Sequence, residues 1–288
     1  MMGEGRGKGA FTQEEITGYE CYLRKNEKSE GTIIKYLHDV RALLSWLEEK
    51  GKGTSKENVL LWRTYLQEQS LTPRTINAKL SAVNSFFRYI GWEDRRVRFL
   101  KVQRRLFRNS AKDLTREEYE RLLKTASEQG RERLYLLMET ICATGIRVSE
   151  LRFITLEAVQ IGQVEITSKG KVRTIILPGK LCRKLKKYAR TQEIKSGVIF
   201  RTRTGQPISR RQVWSEMKCL CKAAGVDASK VFPHNLRHLF ATLFYKVCRD
   251  IVKLADVLGH SSIETTRIYL ISTGAEHRKL IERLRLVQ

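Results

Sequence analysis

A histidine and an arginine stand three residues apart in the sequence PHNLRH, which covers residues 233–238. If a helix begins here, His234 and Arg237 share one of its faces and can reach the same group. Together they offer two hydrogen-bond donors, one of them a permanent, fork-shaped cation that matches phosphate oxygens. The pair therefore predicts an anion site, although a His-x-x-Arg pattern is also common on ordinary protein surfaces.

Two further cations could serve the same anion. Arg147 follows Gly145 at the start of a predicted helix, and the N-terminus of a helix is a favourable place for an anion. Lys169 lies in the sequence SKGK, residues 168–171, which we expect to form the exposed tip of a β-hairpin. These positions add a second fixed cation and a lysine with flexible neighbours.

The sequence LADVLGHSSIETTRIY, residues 254–269, has two interpretations. A helix, a turn at Gly259 and a second helix that starts at a serine resemble a helix-turn-helix DNA reader. In that case the second helix enters a major groove, and Tyr269 is a core residue or a backbone contact. In the other interpretation, His260 and Tyr269 join the anion site, with Tyr269 as a nucleophile. This segment alone does not separate the two.

Four amphipathic helices are predicted in residues 11–94, after a flexible N-terminus at residues 1–10. A capping box from Thr12 to Glu15 opens the first helix, Gly51 ends the second and Ser55 precedes the third. The fourth carries apolar residues at alternating spacings of four and three. Because helices with one apolar stripe bury that stripe against each other, this segment should be a small all-α domain.

Residues 95–112 form a basic stretch that is the best candidate for a domain boundary. From Arg95 to Arg108 it contains no acidic residue. A solvated linker is one explanation. We favour a strap that crosses the backbone of a nucleic-acid duplex.

Residues 113–288 should form the larger domain. A second capping box, Thr115 to Glu118, opens it, and helices follow as far as Gly145. The apolar period then changes, and residues 164–177 predict a β-hairpin closed by Pro178. The remainder has the pattern of helices, with a final amphipathic segment at about 273–288.

The overall charge indicates a polyanionic partner. Lys and Arg total 55 against 31 acidic residues, a net charge of +24, and neutralised phosphates release counterions. A merely basic protein, or one that binds anionic membranes, is the alternative. No apolar run approaches the ~18 residues of a membrane span, and residues 1–10 do not resemble a secretory signal, so we expect a cytoplasmic protein. The six cysteines form no CxxC pair and should be reduced thiols without a structural metal.

In this order along the chain, the candidate residues resemble the tyrosine recombinases, the family of phage integrases and Xer-type recombinases. The catalytic set of that family is Arg, Lys, His-x-x-Arg, a second His or Trp, and Tyr. Matching residues here are Arg147 in GIRVSEL, Lys169, His234, Arg237, His260 in LGH, and Tyr269. The resemblance covers nearly the whole chain. It implies a mainly α fold with a small β-hairpin, in which a four-helix, SAM-like core-binding domain precedes an α+β catalytic domain.

The resemblance also implies an activity. A site-specific recombinase cleaves and rejoins DNA strands through a 3′-phosphotyrosyl intermediate and a Holliday junction, with no metal, ATP or other cofactor. Tyr269 would be the nucleophile. Lys169 would be the general acid, and we prefer it to Lys171 for this role. Glu150 and His238 would be supporting residues. The expected contacts with DNA are Arg95, Arg96, Arg98, Lys101, Arg104, Arg105, Lys171, Arg173, Arg210 and Arg211.

The expected partners are double-stranded DNA with paired half-sites and further copies of the chain or a paralogue, in a tetramer joined by the segment at about 273–288. Two alternatives stay open. A type IB topoisomerase uses a similar Arg, Lys, Arg, His, Tyr set to relax DNA without strand exchange. A helix-turn-helix regulator would bind DNA and form no covalent adduct with it.

Overall fold

The structure is a computed structural model that describes residues 12–102, 112–168, 171–267, 269 and 282–284. Its contacts divide the chain into two compact units, Met1–Arg104 and Arg105–Gln288. The described part is mostly helical, with one two-stranded antiparallel sheet, so the predicted fold class is confirmed. Within this part no helix is long and apolar enough to cross a membrane.

Over residues 12–102 the first unit has four α-helices, α1 (Gln13–Lys25), α2 (Glu30–Glu49), α3 (Lys56–Glu68) and α4 (Pro73–Tyr89). Local signals set their starts: Thr12 and Glu15 form the predicted capping box, and the Ser55 and Thr72 side chains accept from backbone N–H groups of the first turns. Apolar stripes from all four helices meet in one core, whose largest buried side chains are Tyr19, Trp62, Phe86 and Phe87.

After a short 3₁₀ helix (Glu93–Arg95), the chain remains attached to this unit. Asn84 donates to the carbonyl of Val97 at 2.9 Å and accepts from its N–H at 3.1 Å. Two turns earlier on α4, Asn77 binds both backbone groups of Leu100, at 2.9 and 2.8 Å. The first part of the predicted basic strap is therefore hydrogen-bonded to α4.

The second unit begins with helices α5 (Arg116–Glu128), α6 (Glu132–Thr144) and α7 (Leu156–Ile161), with a 3₁₀ helix, Val148–Phe153, before α7. Helix α6 is the central helix, because it is buried on several sides and α5, α8, α9 and α10 all pack against it. It ends at Gly145, whose φ of 65° is left-handed.

Strands β1 (Gln163–Ser168) and β2 (Lys171–Ile176) form the predicted hairpin, and its last described pair is Ser168 with Lys171. The tip, Lys169 and Gly170, lies outside the described residues. Val164, Ile166 and Ile175 are buried on one face, and Ile176 is exposed on the other. The alternation therefore places one face of the hairpin on the core.

The remaining helices are α8 (Gly179–Thr191), α9 (Arg210–Ala224), α10 (Pro233–Cys248), α11 (Ile251–Leu258) and α12 (Ile263–Arg267). Helix α11 ends at Gly259, which has a φ of 62°. The predicted segment at 273–288 lies outside the described residues except for 282–284. All six cysteines are free thiols; Cys219 is exposed and Cys221 is buried.

Candidate active site

Helix α10 places His234 and Arg237 in its first turn, after Pro233, which suits a first helical position because it needs no N–H there. Arg237 is 2% exposed. Its Nη1 donates to the carbonyl of Gly145, and its Nη2 donates to the carbonyl of Leu258 at 2.7 Å. Burial, together with the charge of Arg147, lowers the pKa of Arg237 to about 10, so the group is still a cation at neutral pH.

The C-terminus of α11 holds three arginines through three consecutive carbonyls. Val257 accepts from Nη1 of Arg173 at 3.3 Å, Leu258 accepts from Arg237, and Gly259 accepts from Nη2 of Arg147 at 3.2 Å. Free carbonyls at a helix C-terminus carry partial negative charge, so cations are favourable there. We call Arg147, Arg173 and Arg237 the arginine cluster.

Glu150 is the acidic partner of this cluster. Its carboxylate accepts from the Arg147 backbone N–H and from Arg147 Nη1, both at 2.9 Å, and from Arg173 Nη2. Burial by itself would raise the pKa of Glu150, but the hydrogen bonds from Arg147 and the charges of both arginines outweigh it and lower the pKa. Glu150 pairs with two of the three guanidinium groups, those of Arg147 and Arg173, so the cluster keeps an excess of positive charge.

One donor and one acceptor define the tautomer of His260. Its Nε2 lies 3.0 Å from Nη2 of Arg237, and its Nδ1 lies 2.8 Å from the hydroxyl of Thr266, which is fully buried. Because a guanidinium can only donate, Nε2 must accept, and the ring proton is on Nδ1, which donates to Thr266. Burial, followed by the charges of Arg237 and Arg147, lowers the pKa of His260 to about 4.

His234 is also neutral at physiological pH, because burial first, and then the charges of Arg237 and Arg147, lower its pKa. A neutral imidazole can accept a proton. His234 is therefore available as a base rather than as an additional cation, whereas the Nε2 lone pair of His260 already accepts from Arg237.

Tyr269 is 4% exposed and packs among the histidines. Its ring centroid lies 4.8 Å from that of His238 in an edge contact, 5.9 Å from that of His260 in a stack, and 6.4 Å from that of His234. The phenol also acts on Arg237, through charge and a hydrogen bond that oppose the fall in pKa of the guanidinium. Tyr269 also belongs to a small apolar cluster with Ala241, Leu254 and Leu258, as the helix-turn-helix interpretation expects of a core residue. Its ring contacts with the three histidines are the feature that the nucleophile interpretation expects.

The structure thus brings together most of the predicted catalytic and supporting residues: Arg147, Glu150, His234, Arg237, His238, His260 and Tyr269. Lys169 lies outside the described residues, and of Lys171 only the backbone is described, at the start of β2. Across the described ranges, no cluster of three or more His, Cys, Asp or Glu could hold a metal ion.

The expected DNA contacts differ in what their side chains do. Arg98, Lys101, Arg210 and Arg211 are exposed. Arg95 donates to the Thr54 carbonyl at 2.8 Å and covers the Trp92 ring, and Arg96 pairs with Glu93. Arg104 and Arg105 lie outside the described residues.

Sequence reasoning missed two features of the site. Arg173, expected to contact DNA, lies inside the arginine cluster with its side chain 14% exposed. Thr266, which accepts from His260, was not a candidate. Arg173 is two residues from the buried Ile175 on the same strand, and this alternation indicates that Arg173 faces inward. Nothing in the local sequence indicates the role of Thr266.

Comparisons with known proteins agree with this geometry. Residues 16–94 match the model of the phage integrase N-terminal SAM-like domain, and residues 112–276 match that of the phage integrase family. Tyrosine recombinase XerA of Thermococcus kodakarensis is 32% identical over 285 residues, which cover 96% of each chain. Tyrosine recombinase XerD of Vibrio cholerae is 29% identical, over 84% of this chain and 85% of its own.

Solved structures share the fold. A XerH site-specific recombinase bound to its difH substrate has a TM-score of 0.70 at 21% identity, over 96% of this chain and 85% of that chain. A lambda integrase dimer bound to a core site has a TM-score of 0.69 at 19% identity, over 90% and 94%. The resemblance inferred from the sequence is confirmed: the chain belongs to the phage integrase family, the tyrosine recombinases, which are DNA breaking and rejoining enzymes.

Proposed function

We propose that this enzyme is a site-specific recombinase in which Tyr269 attacks a DNA phosphodiester that two members of the arginine cluster, Arg147 and Arg237, bind. The observation that carries the proposal is the position of Tyr269, whose ring stacks at 5.9 Å on that of His260, the residue whose Nε2 lies 3.0 Å from Nη2 of Arg237. A nucleophile and a set of cations for the same phosphate are thus adjacent.

The arginine cluster suits the charge of the reaction. A phosphodiester has one negative charge, and further negative charge develops as the tyrosine oxygen adds to phosphorus. Cations that are already in position stabilise this state more than the ground state, because they need no reorganisation during the reaction. Arg147, whose side chain is 38% exposed, is the member most able to contact a phosphate on the surface.

Protons must also move. The Tyr269 hydroxyl loses its proton as it attacks, and neutral His234 is the candidate base. The bond from phosphorus to the 5′-oxygen breaks, and Lys169 is the proposed donor of a proton to that oxygen. The phosphate is then joined to Tyr269 as a 3′-phosphotyrosine. Attack by a new 5′-hydroxyl reverses each step, and exchange in pairs passes through a Holliday junction.

Binding to DNA and assembly into a tetramer are further parts of the proposal. Among the structural relatives, XerH is bound to its difH substrate and a lambda integrase tetramer is bound to a Holliday junction. By analogy, this chain would bind duplex DNA with paired half-sites and form a tetramer, with itself or a paralogue, through the segment at about 273–288. Its exposed basic side chains Arg98, Lys101, Arg210 and Arg211 are suited to the DNA backbone.

We also propose the domain division inferred from the sequence: core-binding residues 11–94, a basic strap at 95–112 and catalytic residues 113–288. The two family matches, to residues 16–94 and 112–276, support it. A cytoplasmic location, with access to DNA, belongs to the same proposal.

A covalent adduct tests the role of Tyr269. A duplex with a nick a few nucleotides to the 3′ side of the cleavage position loses the short fragment that carries the new 5′-hydroxyl, so the protein–DNA adduct accumulates and is visible on a denaturing gel. The wild type and a Tyr245→Phe control, which removes a nearby half-buried phenol, should form the adduct. Tyr269→Phe should form none. Adduct from Tyr269→Phe, or none from the wild type on cognate sites, would contradict the proposal.

Strand exchange distinguishes recombination from topoisomerase activity. Two duplexes that share a target site, one of them labelled, are mixed with the enzyme. A recombinase transfers the label to products of new length. A topoisomerase forms the same adduct but reseals each duplex on itself, so the label stays in duplexes of the original length.

A further inference from the structure

Arg173 is a charged residue on the buried face of a hairpin. It lies opposite Ile166 in the register of β1 and β2, and both Ile166 and its near neighbour Ile175 are buried. An unpaired cation in such a place is unfavourable, so its partners determine whether the position is tolerated.

Its partners belong to two other elements of the site. Nη2 pairs with the Glu150 carboxylate, in the 3₁₀ helix that follows Arg147, and Nη1 donates to the Val257 carbonyl at the end of α11. The side chain crosses Gly259 so closely that a Cβ there would lie 2.8 Å from Nη1 and 2.9 Å from Nε. Arg173 therefore ties the hairpin to the segment after Arg147 and to α11 at once.

Contacts with the rest of the unit hold the hairpin in place: Val164, Ile166 and Ile175 pack on the core, and Arg173 adds a charged, hydrogen-bonded anchor on β2. A two-stranded antiparallel ribbon has no third strand to hold it, and an isolated hairpin is only marginally stable. The last described pair, Ser168 with Lys171, is two residues from Arg173 along β2, and the tip with Lys169 follows directly. Movement of β2 away from Glu150 and Val257 would move the tip with it.

We propose that Arg173 is a positioning residue: it fixes β2 against Glu150 and Val257, general-acid catalysis by the lysine that adjoins β2 depends on this anchor, and Arg173 does not contact DNA. This inference rests on the proposed general-acid role of Lys169. Arg173 then affects one step, the protonation of the leaving 5′-oxygen. Arg147, in contrast, stabilises the negative charge of the phosphate.

A sulfur substitution in the substrate separates the two effects. In a nicked duplex whose scissile 5′-bridging oxygen is replaced by sulfur, attack by Tyr269 breaks the P–S bond, and the fragment leaves as a thiolate. A thiol has a pKa of about 8.5, far below that of an alcohol, so this leaving group needs no proton. A variant that has lost only general-acid catalysis should regain its rate on this substrate.

The experiment compares single-turnover cleavage of the oxygen and sulfur duplexes by each variant. Arg173→Lys keeps the positive charge but loses the two-pronged guanidinium group that binds Glu150 and Val257 together. We expect its cleavage rate on the oxygen duplex to fall roughly 10²-fold, since general acids accelerate reactions about 10²- to 10⁴-fold. On the sulfur duplex it should come close to the wild type. Lys169→Ala should show the same pattern, whereas Arg147→Ala should be slow on both.

The ratio of the two rates is measured within each protein preparation, so a partly unfolded variant lowers both rates and leaves the ratio unchanged. An unaltered ratio in Arg173→Lys would overturn the inference. If only Lys171→Ala shows the sulfur rescue, Lys171 is the acid, and the inference stands provided Arg173→Lys follows it. If neither lysine variant is rescued, the general-acid role and this inference both fail, whereas the proposed role of Tyr269 still stands on the adduct.

Binding gives a second, independent readout. A lost phosphate contact lowers the slope of log affinity against log salt by about 0.9. We expect Arg211→Gln, at an exposed position on α9, to lower the slope and Arg173→Gln to leave it unchanged. A slope lowered by Arg173→Gln would show that Arg173 contacts DNA.

Discussion

Gly145→Ala is a sharp test of how the site is held together. Gly145 ends α6 with a φ of 65°, and an added Cβ would lie 2.6 Å from Cε1 of Phe240 and 3.1 Å from Cδ2 of Leu258. The left-handed backbone costs an alanine about 1 kcal/mol. Forcing a methyl group into a packed core costs a further ~1–3 kcal/mol. We expect the free energy of unfolding of the catalytic unit to fall by about 2–4 kcal/mol.

Gly130→Ala is the matched control. Gly130 has nearly the same backbone, with a φ of 64°, and also follows a helix, but nothing lies within 4 Å of its added Cβ. The free energy of unfolding of Gly130→Ala should fall only by the backbone contribution of about 1 kcal/mol. The difference between the two variants in urea denaturation therefore measures the packing of Gly145 against Phe240 and Leu258.

Activity should separate the two variants further. The carbonyls of Gly145 and Leu258 both accept from Arg237, so displacement of either residue moves the guanidinium. A shift of about 1 Å in a catalytic group costs on the order of 10²-fold in rate. Single-turnover cleavage of a nicked duplex should fall by about that factor in Gly145→Ala and stay within a few-fold of the wild type in Gly130→Ala. Equal unfolding free energies and equal rates would refute this account.

Three further predictions concern other contacts. Thr266→Val removes the acceptor of the His260 Nδ1–H and should reduce the cleavage rate roughly tenfold; a ¹⁵N NMR spectrum that still shows His260 mainly as the Nδ1–H tautomer would contradict it. His260 has a pKa of about 4 when folded and about 6.5 when unfolded, so the unfolded chain binds the extra proton between these values. The free energy of unfolding should therefore fall as pH drops through this window, by at most about 1.4 kcal/mol per unit for this group, and His260→Asn should show a shallower slope; equal slopes would exclude His260 as the cause. Asn84→Ala removes both hydrogen bonds to Val97 and should cost the first unit about 2 kcal/mol by urea denaturation, with faster hydrogen exchange at Val97; unchanged exchange there would mean that other contacts hold this strap.

Features with local causes were predictable from the sequence. The capping box at Thr12, the left-handed turn at Gly145 and the alternation along β1 and β2 each depend on residues a few positions apart. Together, these local features led to the predicted fold class, which the structure confirms. The order of the motifs likewise identified the family, because the residue types that the reaction needs occur in the order of the family's catalytic set.

What the sequence did not predict depends on partners far along the chain. The alternation with Ile175 indicates only that Arg173 faces inward; its partner Val257 is 84 residues later, and no local pattern indicates that a strand arginine will meet a helix C-terminus. The attachment of the basic strap to α4 depends on two asparagine side chains that look like ordinary surface polar residues. The contact of Thr266 with His260 requires the turn geometry after Gly259, which the helix-turn-helix interpretation would also have allowed.

The three carbonyls at the end of α11 also bear on when the enzyme can first act during its own synthesis. They accept from arginines 21, 84 and 112 residues away along the chain, and they lie in its last part. A chain is made from its N-terminus and folds as it emerges. Arg147 and Arg173 therefore leave the ribosome well before the backbone that orients them. A nascent or truncated chain that ends before residue 257 lacks the carbonyls that orient the arginines, and it also lacks His260 and Tyr269, so it has no assembled site with which to break a strand.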